Sequence, residues 1–359
     1  MHPGVGEAPI DLCQGSQLRK LTQLPCIMRI VAQDNEPVTL PSPKWPVLSK
    51  EQIDAFANRA IDPDHWRRLN PELSVDGVGE GSAGLDIEPL KPKEIEKQVG
   101  KLRSEGYFQT HQVLSSPSID KMRVCVEPLR RESWPATFSF VYDQFWDAAS
   151  VSSLTEIVKE FLGAEYRQNS KFWTYYVLPC KGAGGWRPHN DSGLASRLTV
   201  WIPLSVATLD NGCIYLIPQD RASRAGLNDF WRRDHVARAE LGLLLWATKA
   251  LPAPAGSLLG WNHDIVHWGS MASDGAHPRI SLAVEFVGAG AEAGPDELPL
   301  FDLPCRFSFS QRIQLICKAI LDYQRFEPVT PIYTGLAEHL KETIGPRIRP
   351  LDVLSPQWR

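Results

Sequence analysis

The chain has 359 residues, 43% of them hydrophobic and 22% charged, an ordinary globular composition that can bury a core without disulfide or metal staples. The net charge of −4 argues against a general nucleic-acid binder, while leaving room for a local basic patch. The opening MHPGVGEAPIDLCQG lacks the basic and apolar regions of a signal peptide, and no stretch approaches the roughly 20 apolar residues of a membrane helix, so no membrane partner is expected.

Residues 1–47 are rich in proline and polar side chains and read as an extended arm. Residues 49–60 read as a short helix, with Ser49 as its N-cap and Gln52 in capping-box position. Gly77, Gly79, Gly81 and Gly84 mark a loop. Residues 94–106 form an amphipathic helix, with Ile95, Val99 and Leu102 at helical spacing and Gly106 as its stop. Further helices are expected from about Pro117 and over 149–162, the latter ended by Gly163. From Lys171 the period changes to two. Segments 172–178, 198–206, 213–217, 257–261, 265–268 and 279–287 are rich in aromatic and β-branched residues and are separated by turn signals. They predict an antiparallel sandwich or barrel.

Residues 219–254 interrupt the strands. They are long for a loop and helical in composition, so a lid-like insert is expected. Its six basic residues against four acidic ones read as a solvated face, with recognition of an anionic substrate as the sharper option. From Phe307 the chain is helical again. The expected organisation is an N-terminal extension over 1–95, partly irregular, a catalytic domain over 96–290, and a helical C-terminal extension over 291–359 that packs on it. The seven cysteines are odd in number and lack C-x-x-C spacing, which points to reduced thiols in a cytoplasmic protein.

Three short signals carry chemistry. His189 and Asp191, at i and i+2, share one side of an extended segment, and His267 ends a later apolar strand. Two histidines and a carboxylate on one face of a metal leave the opposite face open, the facial triad of non-haem iron(II) oxygenases. Arg279 and Ser281 share a face of the last strand. An arginine fork suits a carboxylate, and 2-oxoglutarate needs its distal carboxylate anchored in a dry pocket by an ion pair. A lone H-x-D arises often by chance; the order makes the combination specific, with H-x-D at the first strands, a histidine near the last and R-x-S one turn later on a strand of good β pattern. His263, four residues before His267, competes for the ligand role and reads better as a core group or as a partner to a ligand.

From about Val99 to Gly288 the sequence resembles the phytanoyl-CoA dioxygenase-like branch of the 2-oxoglutarate oxygenases. The resemblance rests on LRSEGYFQTHQVLSSPSIDKMRVCVEPL, on HND, on VWIPLSVATLDNGCIYLIP, on VHWGS and on the RIS strand. It implies a mainly β fold with flanking helices (α+β), built on a double-stranded β-helix, or jelly-roll, core. It also implies iron ligation by His189, Asp191 and His267, and 2-oxoglutarate binding by Arg279 and Ser281, with Trp201 lining the cosubstrate pocket. The family's P-G-S-H is replaced here by Pro218-Gln219-Asp220-Arg221, so the substrate side is expected to differ. The carboxylate of Asp191 favours hydroxylation over the halogenation of relatives that lack it. Of Tyr175 and Tyr176, adjacent on a strand, only one can face the pocket.

These readings converge on oxidation of a small molecule with iron(II), 2-oxoglutarate and dioxygen. A protein or peptide hydroxylase, or a cupin-like metal enzyme without the 2-oxoglutarate step, are the alternatives.

Overall fold

A computed structural model describes residues 47–76, 85–180, 183–192, 194–227, 238–303, 307–324 and 330–344. Residues 1–46 of the proline-rich arm, the 77–84 loop and the middle of the 219–254 insert lie outside these residues.

The first half is helical. α1 (Lys50–Ala60), α2 (Pro63–Leu69) and α3 (Pro92–Glu105) precede strand β1 (Tyr107–Gln112). Short helices α4 (Ser116–Val124), α5 (Val126–Arg131) and α6 (Asp143–Asp147) then lead to α7 (Ser152–Leu162). The caps follow sequence chemistry. Ser49 accepts from the Gln52 amide while the Gln52 side chain accepts from the Ser49 amide at 2.9 Å, closing the expected capping box. Gly106 ends α3 at φ +82°, a conformation that costs a residue with a Cβ.

The strands follow: β2 (Arg167–Val177), β3 (Arg197–Pro203), β4 (Ile214–Leu216), β5 (Lys249–Leu251), β6 (Ser257–Asn262), β7 (His267–Gly269) and β8 (Arg279–Val287). They form two antiparallel sheets, a five-stranded one in the order β1-β6-β3-β8-β2 and a three-stranded one in the order β5-β4-β7. Together they make the expected jelly roll within an α+β fold.

Two expectations need correction. The insert is not helical throughout. It opens with α8 (Gln219–Ala225) and α9 (Arg238–Ala247), but Lys249–Leu251 pairs with β4 as a strand. Leu251 and Ala253 each precede a proline, which favours extended backbone and forbids helix continuation. Likewise His267 begins β7 rather than ending a strand, and His263 and Asp264 form a turn before it.

Register explains the near-continuous burial of the central strands. On β8, Ile280, Leu282, Val284 and Phe286 join Leu198, Val200 and Ile202 of β3 in the core under the helices. The alternate residues Trp201 and Ala283 join Leu259 and Trp261 in a second cluster between the two sheets. Each fully buried aliphatic contributes about 1.5–3 kcal/mol. A one-residue slip would put Arg279, Ser281 and Glu285 into the apolar helix-facing core, so the pairing is strongly specified.

The C-terminal helices α10 (Phe309–Tyr323) and α11 (Thr334–Thr343) close the helical layer. Arg312 on α10 is buried, donates to the Val141 carbonyl at 2.9 Å and forms an ion pair with Asp143. Cys125, Cys213 and Cys317 are buried free thiols and Cys180 is partly exposed; the other three cysteines lie outside the described residues. Among the described residues, no helix is long and apolar enough to cross a membrane.

Candidate functional site

His189 lies on the link between β2 and β3, yet its position is fixed by backbone pairing. Its amide donates to the His267 carbonyl at 3.1 Å, and the His267 amide donates back at 2.9 Å. This two-residue bridge extends the smaller sheet beyond β7 and brings the imidazole centroids to 4.3 Å. Asp191 follows two residues later, and one ligand atom from each of His189, Asp191 and His267 lies within 4.8 Å of the others. Nε2 of each histidine stands 3.7 Å from Oδ1 of Asp191.

Donor chemistry fixes which atoms are free. Nδ1 of His189 meets the Arg187 carbonyl at 2.6 Å, and Nδ1 of His267 meets the Ile265 carbonyl at 3.1 Å. A carbonyl can only accept, so each Nδ1 carries the proton and each Nε2 offers a lone pair to the centre. Nε2 of His189 is buried with no hydrogen-bond partner among the described residues, an orphan that a metal would satisfy. Asp191 is divided in the same way. Its Oδ2 accepts from the Thr199 hydroxyl at 2.6 Å and from Trp261 Nε1 at 3.1 Å, leaving Oδ1 for the centre.

His263, buried behind Asp191, completes the support. Its Nδ1 lies 2.9 Å from the Ser192 hydroxyl and its Nε2 lies 3.2 Å from the Thr199 hydroxyl. Thr199 has one proton and gives it to Asp191, so His263 Nε2 must donate to Thr199. The result is a chain from His263 through Thr199 to the carboxylate. Burial would raise the Asp191 carboxyl, but His267, His263, the Thr199 hydroxyl and His189 outweigh it and hold it at about 2. Burial lowers His267 to about 4, against the pull of Asp191 in the other direction. Both groups are thus deprotonated at neutral pH, as ligation requires. If the chain positions Asp191, Thr199→Val should cost roughly 10–100-fold in iron affinity, a range typical of groups behind metal ligands. Iron titration checks this, and an unchanged affinity would show the hydroxyl to be a bystander.

A cavity opens from the triad. At one end stands Arg279, 2% exposed, with its guanidinium carbon 5.7 Å from the Trp201 ring centroid. Ser281, one step along the same strand face, is fully buried, and its hydroxyl has no hydrogen-bond partner among the described residues. Two glycines make room for the arginine. A Cβ on Gly185 would sit 2.7 Å from the Cα of Gly269 and 3.1 Å from Nη2 of Arg279, and a Cβ on Gly269 would clash in return. The glycine of the HWGS stretch is therefore needed where chain and guanidinium pass closely.

Every candidate from the sequence lies in or beside this cavity: His189, Asp191, His267, Trp201, Tyr175 and Arg279 line it, and Ser281 adjoins it. Tyr176 points away, donating to Glu127 at 2.7 Å under the Arg130 guanidinium. Sequence reasoning missed Thr199, Trp261, Trp186, Lys171, Glu285 and Tyr323, of which all but Thr199 have aromatic or charged side chains on the cavity wall. Glu285 had a signal, since it breaks an apolar strand at an even offset from Arg279 and Ser281. Tyr323 had none; it arrives from α10, far away in the chain.

The family model for phytanoyl-CoA dioxygenase (PhyH) matches residues 97–281, just over half of the chain. No curated protein sequence matches. Among solved structures, the chain is similar to SnoN, a non-haem α-ketoglutarate-dependent epimerase of nogalamycin biosynthesis, with 14% identity, 57% of this chain and 91% of that chain covered, and a TM-score of 0.44. It is similar to SnoK, a carbocyclase of the same pathway, with 20% identity, coverage of 56% and 87%, and a TM-score of 0.44. The nickel complex of the non-haem monooxygenase ThoJ gives 13% identity, coverage of 64% and 97%, and a TM-score of 0.47. The family match, on the stretch that carries H-x-D, the distal histidine and the arginine strand, establishes that the chain belongs to the phytanoyl-CoA dioxygenase family and is a 2-oxoglutarate-dependent oxygenase.

Proposed function

We propose that the protein oxidises an unactivated C–H bond of a small molecule, with His189, Asp191 and His267 as the iron(II) ligands and Arg279 as the anchor of 2-oxoglutarate. The observation that carries this reading is the division of each ligand. One atom of each side chain is tied to the protein and the other faces a common centre, beside a buried arginine. Three protein ligands leave positions for cosubstrate and dioxygen. With iron(II) and 2-oxoglutarate bound, the chemistry supplied is decarboxylation to succinate and carbon dioxide coupled to hydroxylation of the substrate.

The chain's own residues position and exclude. Arg279 receives the distal carboxylate as an ion pair in a dry pocket, with the Ser281 hydroxyl as a further donor. Trp201 and Ile214 wall the cosubstrate end against water, and Tyr175 lines the cavity between the sheets. Residues 96–290 form the catalytic domain in this reading.

The test needs no substrate. Adding iron(II) and 2-oxoglutarate to the metal-free protein without oxygen should produce the weak visible charge-transfer band of a keto acid chelated to iron. His267→Ala should lose it. Metal binding without the band would remove 2-oxoglutarate from the reading and favour a cupin-type metal enzyme.

A further inference from the structure

We propose that the end of the cavity away from Arg279 is a subsite for a protonated amine, with Glu285 as its counter-charge and Tyr175, Trp186 and Tyr323 as its walls. This rests on the reading of the site as an iron and 2-oxoglutarate centre.

The inward face of β8 runs Arg279, Ser281, Ala283, Glu285, so its two charged groups stand at opposite ends, roughly 20 Å apart along the strand. Glu285 is paired directly with Thr199, the residue that holds Asp191. A ligand group at Glu285 therefore lies beside the triad, on the side the cosubstrate anchor does not occupy. Arg279 reads one end of the cavity and Glu285 the other.

Glu285 is poorly compensated for a buried carboxylate. It is 8% exposed and lines the cavity. Its Oε2 accepts one hydrogen bond, from Asn169 at 3.0 Å, and its Oε1 accepts none among the described residues. His263 Nε2 is 3.9 Å away, but its proton goes to Thr199. Burial raises the proton affinity of the carboxyl, the signature of a charge lacking a full partner. The cation nearby, Lys171, acts on Glu285 through space but forms no ion pair with it among the described residues. Its Nζ is 3.8 Å from Glu297, a carboxylate that Arg197 already grips at 2.8 and 3.1 Å. Lys171 thus pairs with Glu297 rather than with Glu285, which faces the cavity.

The walls suit the same ligand. The Trp186 ring lies 5.5 Å from Tyr175 and 5.2 Å from Tyr323, and all three line the cavity. Aromatic faces beside a buried carboxylate attract an organic ammonium both through the ring quadrupole and through charge. Tyr323 is delivered by α10, which gives the C-terminal extension a place in substrate recognition.

Three probes of equal chain length separate the head groups: n-hexylammonium, n-hexanol and hexanoate. Each is titrated into the full-length protein loaded with iron(II) and 2-oxoglutarate without oxygen, following the shift of the charge-transfer band and the tryptophan fluorescence. Hexylammonium should bind at least about tenfold more tightly than the other two. Glu285→Gln should erase that preference while the band itself persists, which also shows that the variant is folded, and Glu285→Asp should restore part of it. Absence of a head-group preference, a preference surviving in Glu285→Gln, or a preference for hexanoate that would make Lys171 the reading group, each overturns the proposal. A wild-type protein without the band sinks the oxygenase reading instead, and the fluorescence titration then still judges the amine subsite by itself.

Discussion

Asp191→Ala should abolish conversion of 2-oxoglutarate to succinate and weaken iron(II) binding by on the order of 10²- to 10³-fold, the cost of removing one partner from a buried charge contact. The same substitution should lower the melting temperature of the metal-free protein only modestly, because the Thr199 hydroxyl and Trp261 Nε1 lose their acceptor. Without metal, Asp191 is a largely buried carboxylate supported by the neighbouring histidines, the Thr199 hydroxyl and Trp261 Nε1. A carboxyl held at about 2, below its ordinary value, is stabilised as the anion by the fold, so its removal costs some stability at neutral pH. Asp191→Asn separates charge from shape. Its amide oxygen can still accept from Thr199, so it should fold as the wild type does and bind iron almost as poorly as the alanine variant. Succinate production, iron titration and thermal melts read the three effects. If Asp191→Ala melts well below the wild type without metal, the carboxylate is a structural group, and the loss of activity would not identify a ligand. If Asp191→Asn binds iron normally, the charge is not what the metal sees.

The reach of the sequence into this site follows the length scale of each signal. His189 and Asp191 are two residues apart on extended backbone, and so are Arg279 and Ser281; the period of two alone places each pair on one face. The strands β2, β3 and β8 themselves were legible in the same way, because they are long and strongly patterned. What could not be read was the partner across space. The His189–His267 bridge joins residues 78 positions apart, and nothing local marks it (267 − 189 = 78). The His263–Thr199–Asp191 chain draws on three separate segments, so His263 could be named a supporting group but not given its neighbour. β5 was hidden because Lys249–Leu251 follows good helix formers and has only three residues to show a period. There the pairing with β4 and the following proline decide, against local propensity. Tyr323 and Lys171 reach the cavity through packing of α10 and an irregularity in the β2–β8 register, neither of which has a sequence signature.

Arg279→Ala should raise the 2-oxoglutarate concentration needed for half-maximal binding by about 10²- to 10³-fold while changing iron affinity little. The direction follows from position. Arg279 lies in the same cavity as the triad but, as a cation with no acceptor, cannot ligate the metal, and it stands where Trp201, Gly185 and Gly269 leave space for a planar fork. Removing it leaves the incoming carboxylate buried without its counter-charge, which costs far more than the lost contact area. Arg279→Lys should recover only part of the affinity, since an ammonium cannot reproduce the two parallel hydrogen bonds of a guanidinium. A cleaner reading comes from 2-oxobutyrate, a keto acid with no distal carboxylate. Wild type should bind 2-oxoglutarate far more tightly than 2-oxobutyrate, and Arg279→Ala should lose that discrimination while binding 2-oxobutyrate about as well as before. Titrations of the charge-transfer band with each keto acid measure all four values. If iron binding fails together with 2-oxoglutarate binding, Arg279 supports the fold of the site rather than the cosubstrate. If discrimination survives the substitution, the distal carboxylate is held by another group, and the buried serine hydroxyl of Ser281 would be the first to examine.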